Sequence, residues 1–270
     1  FIDLINKNFD PTDHHFFFFA KGDLYQGSSQ AMITRNSDFS TKLTSLIALV
    51  KHLNCAEKII LHGLFGSVVI LLLFLQPWLL RKCYWVIWGG DLYTHALDKR
   101  TLSWRIKELF KHPVIKRIGH LVTYVTGDIE LARRWYGARG QYHECLVYPS
   151  NTFRPTVLPT EHHEGLHILV GNSADPSNEH MEVLRLLKDH EKAPTKVFVP
   201  LSYGNADYAR SVVEHGRLLL GERLVPLLEF MPYDHYLQML AGIDIAIFNH
   251  RRQQGMGNII TLLGMGKTVC

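Results

Sequence analysis

Cysteine is scarce in this chain. Its four cysteines, Cys55, Cys83, Cys145 and Cys270, never fall at Cys-x-x-Cys spacing. That excludes a zinc ribbon and a disulfide scaffold and favours a reducing, cytosolic setting. Charge of one sign is also lacking: 29 Lys and Arg against 25 Asp and Glu leave a net +4. So mild a balance tolerates an anionic ligand or acidic lipid, but it lacks the clustered basic face of a nucleic-acid binder. There is no internal repeat, no low-complexity segment and no Asp-x-Asp pair of the kind that holds a divalent cation.

Two apparent motifs fail on spacing. Gly264-Met-Gly-Lys-Thr268 suggests a phosphate loop, but that motif needs glycine at position 261, which is Thr. His163-Glu164-Gly165-Leu166-His167 matches the zinc-peptidase pattern, which needs both histidines on one helical face. Here Gly165 and the strand that follows predict an extended segment with the two rings apart.

What is present is a full complement of core-forming residues, 47% hydrophobic, in a chain long enough for two domains. Short apolar runs alternate with helical periodicity. Strands are expected at 16–20, 58–61, 84–88, 121–125 and 144–148, with loop at 27–38 and helices at 43–50, 102–110 and from 126 to 136. The 102–110 helix is expected to keep its Lys and Arg on the wet side. The 17 uncharged residues 64–80 suit a core helix. They are short for a membrane span, and contact with the headgroup region stays open. A proline-rich connector, 149–159, comes next. The alternation then resumes, with strands at 167–170, 196–200, near Leu218 and at 243–248, and helices at 178–190, 206–215, 233–241 and 256–265. Strands alternating with helices imply parallel sheets, whose ligands lie at the carboxyl ends of the strands.

Two of those ends stand out. In 168–180 an apolar strand meets Gly171-Asn172-Ser173, with Asp175 or Ser177 as cap and Pro176 at a first helical position. Such a turn can aim a helix N-terminus at a phosphate, or it can be an ordinary strand-to-helix connection. In 243–258 a strand runs into Arg251, Arg252, Gln253 and Gln254, and Gly255 and Gly257 open a helix. Arginine grips phosphate oxygens bidentately, and glycine lets the backbone approach. In the first half, His62 could move a proton or position a hydroxyl, Asp91 could accept a proton, and Trp88 and Tyr93 could stack on a sugar.

These residues carry a resemblance. The pattern Ala-Gly-Ile-Asp-Ile-Ala-Ile-Phe, a basic Gly-rich loop, then Thr-Leu-Leu-Gly-Met-Gly-Lys-Thr-Val is similar to the donor domain of a GT-B glycosyltransferase. More closely, the chain resembles family 56, the TDP-Fuc4NAc:lipid II Fuc4NAc transferases of enterobacterial common antigen synthesis. The resemblance rests on Trp88-Gly89-x-Asp91-Leu92-Tyr93, on Val170-Gly171-Asn172-Ser173-x-Asp175-x-Ser177-Asn178-Glu179-His180 and on Arg252-Gln253-Gln254-Gly255-x-Gly257, with His62-Gly63 as a weaker element; Gly90 and Asn258 depart from it.

It implies an α/β GT-B fold: two Rossmann-like domains facing a cleft, 1–155 on the acceptor side and 156–270 binding the nucleotide sugar. The chain opens on Phe1 and stops at Cys270 as a strand begins, so it is expected to be a fragment without the family's first strand and C-terminal part. The implied reaction is retaining, metal-free transfer of a 4-acetamido-4,6-dideoxyhexose from a dTDP-sugar to a polyprenyl-diphosphate-linked saccharide. It would take place peripherally, on the cytoplasmic face of the bacterial inner membrane. No cofactor is implied, and no nucleic acid. His62 and Asp91 would be catalytic, and Trp88 and Tyr93 would face the acceptor. Gly171, Asn172, Ser173, Asn178, Glu179, Tyr203, Arg251, Arg252, Gln253, Gln254, Gly255 and Gly257 would hold the donor. A UDP or GDP donor, or a non-catalytic module binding a sugar nucleotide or lipid head, are the alternatives.

Overall fold

The structure, a computed structural model, describes residues 2–18, 30–32, 39–146, 148, 151–155, 163–189 and 195–270. The expected strand end at 19–20, most of the loop 27–38 and most of the connector 149–159 lie outside them; the described part of that loop, Gln30–Met32, is a strand and not loop. The chain divides into two compact units, Phe1–Pro149 and Ser150–Cys270.

The first unit opens with α1 (Ile2–Asn8) and a parallel pair, β1 (Phe16–Phe18) with β2 (Gln30–Met32). The long helix α2 (Phe39–Cys55) leads into β3 (Ile59–His62), α3 (Ser67–Leu75), β4 (Cys83–Val86), α4 (Gly90–Leu97), α5 (Leu102–Arg117), β5 (His120–Thr123), α6 (Thr126–Tyr136) and β6 (Gln141–Glu144). Strands β3 to β6 form one parallel sheet in chain order. Trp85, Leu121, Leu73, Val114 and Tyr136 are among the side chains that fill its core.

The second unit contains β7 (Leu166–Val170), α7 (His180–Lys188), β8 (Thr195–Pro200), α8 (Ala206–Leu220), β9 (Leu224–Leu227), α9 (Tyr233–Ala241), β10 (Ile245–Ile247), α10 (Met256–Gly264) and β11 (Thr268–Val269). All its strands are parallel, in the order β11-β10-β7-β8-β9. The winding therefore reverses between β7 and β10. Connections on either side of such a point diverge and leave a crevice at the strands' carboxyl ends. The crevice is where the loops after β7 and β10 meet.

Several expectations are corrected. The strand expected near Leu218 is the last turn of α8. Gly221, at φ 58°, ends that helix, and the strand begins only at Leu224. The strand expected at 144–148 is β6, Gln141–Glu144, a polar edge strand placed by pairing with β5 rather than by its own hydrophobicity. Residues 64–80 do not form one core helix. Pro77 cannot continue the hydrogen-bond ladder, so α3 stops at Leu75, a 3-10 turn spans Pro77–Lys82, and much of α3 is exposed. The helix expected from 178 starts at His180, after a 3-10 turn Pro176–Asn178 that Asp175 caps through its hydrogen bond from Ser177 N–H.

The stretch 163–167 is not the expected extended segment with its rings apart: it bends at Glu164 and Gly165, the latter at φ 82°, and its two histidine rings stack with centroids 3.6 Å apart. His163 bends back over His167 and pairs with Asp244. Among the described residues no helix is long and apolar enough to cross a membrane.

Candidate functional site

In the second unit the loop after β7 is an internally bonded wall. Asn178 is its hub. The Oδ1 atom accepts from Asn172 N–H and from His250 Nε2, both at 2.9 Å, while Nδ2 donates to Ser173 Oγ and to the Asp175 carbonyl. Both ends of this buried amide are thus occupied, and Asn178 scaffolds the loop rather than meeting a ligand. Gly171, at φ 70°, is needed for a similar reason: a Cβ there would sit 2.5 Å from His180 Nε2 and 2.7 Å from Asn178 Oδ1. The close approach it permits is to these side chains, not to a phosphate.

The loop after β10 lies against this wall. Arg252 donates from Nη2 to Asp175 Oδ2 at 3.0 Å and from Nε to Ser177 Oγ at 3.2 Å; Gln254 Nε2 reaches the same Oγ at 3.0 Å. Asp175 and Ser177 were part of the resemblance but not of the expected site. They are what orients the arginine. Burial alone would raise the Asp175 pKa, but the hydrogen bonds from Ser177 and the Arg252 guanidinium outweigh it and hold the carboxyl below its ordinary range. Arg251 is more exposed and pairs with Glu179, which adopts φ 51° at the start of α7.

Gly255, at φ 67°, precedes α10 and supplies no capping side chain, so the first-turn N–H groups, Gly257 among them, point at the crevice uncapped. A Cβ on Gly255 would lie 3.2 Å from Asn172 Cγ, so the amide of Asn172 rests directly on this helix start. Asn172 donates from Nδ2 to Tyr203 Oη at 3.0 Å, while its own Oδ1 is buried with no partner among the described residues. Gln253 Oε1 and Gln254 Oε1 are likewise buried and have no partner among the described residues. Buried polar atoms are rarely left unsatisfied, so these three acceptors suit a group that brings hydrogen-bond donors.

Burial lowers the pKa of both flanking histidines, His180 and His250, to about 4, so they stay neutral at physiological pH. Beside Tyr203 opens a cavity of about 450 Å³ whose walls include Ala174, Leu201, Gly204, Val213 and Leu228. Sequence reasoning missed it because its walls come from separate, unremarkable segments.

In the first unit His62 and Trp88 come together. His62 Nδ1 lies 2.6 Å from Tyr148 Oη, and Trp88 packs edge-on against Phe65 and Tyr148. Partial desolvation lowers the His62 pKa and favours its neutral form. Tyr148, 86 residues away in sequence, had no motif to announce it.

Asp91 supports this pair from the core through Trp88 N–H, and Tyr93 does not join it. Asp91 is almost wholly buried and accepts from four donors, Leu64 N–H, Trp85 Nε1, Trp88 N–H and Leu92 N–H. A carboxylate so saturated holds the ends of β3 and β4 in place; it is not a proton acceptor for substrate. Tyr93 turns inward, donating to Asp128 and packing edge-on against Trp135, so it presents no stacking face. Among the described residues no group of three or more His, Cys, Asp or Glu side chains is placed to hold a metal ion.

The fold recurs in solved glycosyltransferases. The chain superposes on sucrose-phosphate synthase from Thermosynechococcus elongatus with a TM-score of 0.64 at 13% identity, covering 98% of this chain and 72% of that one. On Anabaena HepE in complex with UDP and glucose the TM-score is 0.60 at 12% identity, covering 89% and 66%. On the pneumococcal O-GlcNAc transferase GtfA in complex with UDP and GlcNAc it is 0.53 at 10% identity, covering 83% and 44%. These likenesses establish the GT-B-like fold, and this chain spans about two thirds to three quarters of the first two. Its sequence matches the 4-alpha-L-fucosyltransferases, glycosyl transferase group 56, over residues 1–270. The chain therefore belongs to glycosyltransferase family 56, and the protein is a sugar-transferring enzyme.

Proposed function

We propose that the second unit binds a dTDP-linked 4-acetamido-4,6-dideoxyhexose and that the enzyme passes this sugar, with retention, to a polyprenyl-diphosphate-linked saccharide at a membrane surface. The observation that carries the donor half is the crevice between β7 and β10. There the uncapped start of α10 and the Arg252 guanidinium converge, and the amide oxygen of Asn172 is left to accept from a hydroxyl or ring N–H of the donor. The diphosphate would lie on the α10 N–H groups with Arg252 beside it, a fixed positive field where charge builds up on the leaving group. Charge neutralisation then falls to the protein, without a metal. The cavity beside Tyr203 would take the base and deoxyribose, one hydrogen bond away from Asn172.

Retention by front-face displacement needs no protein nucleophile. The departing phosphate oxygen would receive the acceptor's proton as the new glycosidic bond forms and the sugar–phosphate bond breaks. His62 and Trp88, with Tyr148, would position the acceptor. A UDP donor is the second reading, favoured by the UDP held in the HepE and GtfA structures.

Calorimetric titration of dTDP, UDP and GDP into the wild type and Arg252→Ala tests both. We expect dTDP to bind most tightly and Arg252→Ala to weaken it by roughly 100-fold, about 3 kcal/mol. Unchanged dTDP binding would remove Arg252 from the site, and tighter UDP binding would select the second reading.

A further inference from the structure

Helix α5 buries charge and exposes leucine. Lys111 is 1% exposed, with Nζ donating to the Asp91 carbonyl at 2.6 Å and to Thr94 Oγ1 at 3.0 Å. Glu108 also points inward, 3.6 Å from Lys111 Nζ and within hydrogen-bond reach of Tyr136 Oη. This charged network shares the inward face of α5 with the fully buried Val114 and Ile115. Its leucines are on the other side: Leu102, Ile106 and Leu109, spaced i, i+4 and i+7, are 75%, 52% and 68% exposed. Within 102–110 Arg105 is exposed as expected and Lys107 is half-buried, but Leu102, Ile106 and Leu109 share that wet side.

Two further facts give the exposed stripe an occupant. The first is charge. The sixteen residues of α5 carry five cations (Arg105, Lys107, Lys111, Lys116, Arg117) and one carboxylate, a net +4 equal to that of the whole chain. Arg105 and Arg117 are exposed on either flank of the stripe. The second is continuity. Phe110 meets Phe74 of α3 edge-on, with centroids 5.0 Å apart, and α3 turns Val68, Leu71 and Leu75 outward beside it. An apolar face rimmed by arginine matches the boundary between anionic headgroups and acyl chains, where such a helix lies in the plane of the interface. It does not match a second copy of itself, since two such rims repel.

We infer that the outward faces of α3 and α5 form the surface by which this enzyme sits on an anionic bilayer. This deepens the membrane part of the proposed function and rests on it.

The test is flotation of the full chain with vesicles of phosphatidylethanolamine and phosphatidylglycerol, or of phosphatidylcholine alone, without substrates. The wild type should float with the anionic vesicles, less so at high salt, and at least ~10-fold more weakly with phosphatidylcholine. The triple variant Leu102→Ser, Ile106→Ser, Leu109→Ser should lose at least ~10-fold in partitioning. Leu218→Ser, which alters an equally exposed leucine in the second unit, should lose nothing. Arg105→Glu with Arg117→Glu should abolish the preference for anionic lipid while leaving the apolar stripe intact, and it decides the matter if the triple variant melts early.

A wild type that stays in solution, or a triple variant that floats like the wild type, overturns the inference. So does a concentration-dependent dimer that the triple variant abolishes in the absence of lipid. Transfer from dTDP-sugar to a short-chain, water-soluble acceptor is measured in parallel. If it persists without flotation, docking alone is wrong; if it fails while flotation holds, the donor and acceptor reading is wrong.

Discussion

Asp175 Oδ2 lies 3.0 Å from Arg252 Nη2, an ion pair joining residues 77 positions apart across the point where the second sheet reverses its winding. The pair orients the guanidinium before any ligand arrives. Asp175→Ala should therefore weaken dTDP binding by ~10-fold through lost orientation, although aspartate carries the wrong charge to touch a phosphate. In a double-mutant cycle, Arg252→Ala should cost at least about 1 kcal/mol less in the Asp175→Ala background than in the wild type. Strict additivity in titrations of all four proteins would contradict the arrangement.

Gly255 is the second test of the crevice. At φ 67° any side chain is strained, and a methyl group would press on His250 and Asn172 at 3.1 to 3.3 Å. Gly255→Ala should lower stability by about 1–2 kcal/mol and push Asn172 away from the start of α10. Thermal melting and dTDP titration should both respond. A full-strength dTDP site in this variant would place the diphosphate elsewhere.

His180 and His250 predict an acid limb to stability. Burial depresses both folded-state pKa values to about 4, below the ordinary imidazole value of 6.5. The unfolded chain thus takes up protons first as pH falls. Their contribution is complete above the unfolded value and is lost as pH drops from about 6.5 towards 4, at roughly 3 kcal/mol for fully buried His180. Urea unfolding at stepped pH should show this decline, and His180→Gln should make it shallower. Equal slopes in the two proteins would mean His180 does not contribute.

Asp128 has the opposite sign. It is fully buried, its Oδ2 has no partner among the described residues, and burial raises its pKa to about 6 from the ordinary carboxylate value of 3.8. The native state holds its proton more tightly than the unfolded chain, so stability is greatest below the unfolded value and declines as pH rises through 6. Asp128→Asn keeps the acceptor for Tyr93 and removes the charge. It should raise the melting temperature at pH 8 by a few degrees and change little at pH 4. A lower melting temperature at pH 8 would show that the carboxylate is stabilising.

Asp91 should behave as a structural group. Asp91→Ala strands four N–H donors, two of them around the loops that carry His62 and Trp88, and should cost about 3 kcal/mol or more in unfolding free energy. A variant with wild-type stability and no transfer activity would instead return Asp91 to the chemistry.

Much of the architecture was legible in the chain itself. Alternating apolar runs and helical stretches specify parallel βα arrays, because each signal is local, and the glycine- and arginine-rich loops after β7 and β10 announce themselves by composition. What those loops do to each other was not legible. Asn172 rests on Gly255, and Arg252 on Asp175, only because β10 inserts beside β7, and strand order is decided by packing over tens of residues. Tyr148 reaches His62, and Asp91 disappears into four hydrogen bonds, for the same long-range reason. Helix α5 shows the division most plainly. Periodicity states which residues share a face, but the direction of that face was decided by Asp91, Thr94 and Tyr136, whose polar atoms gave Lys111 and Glu108 a better environment inside than out.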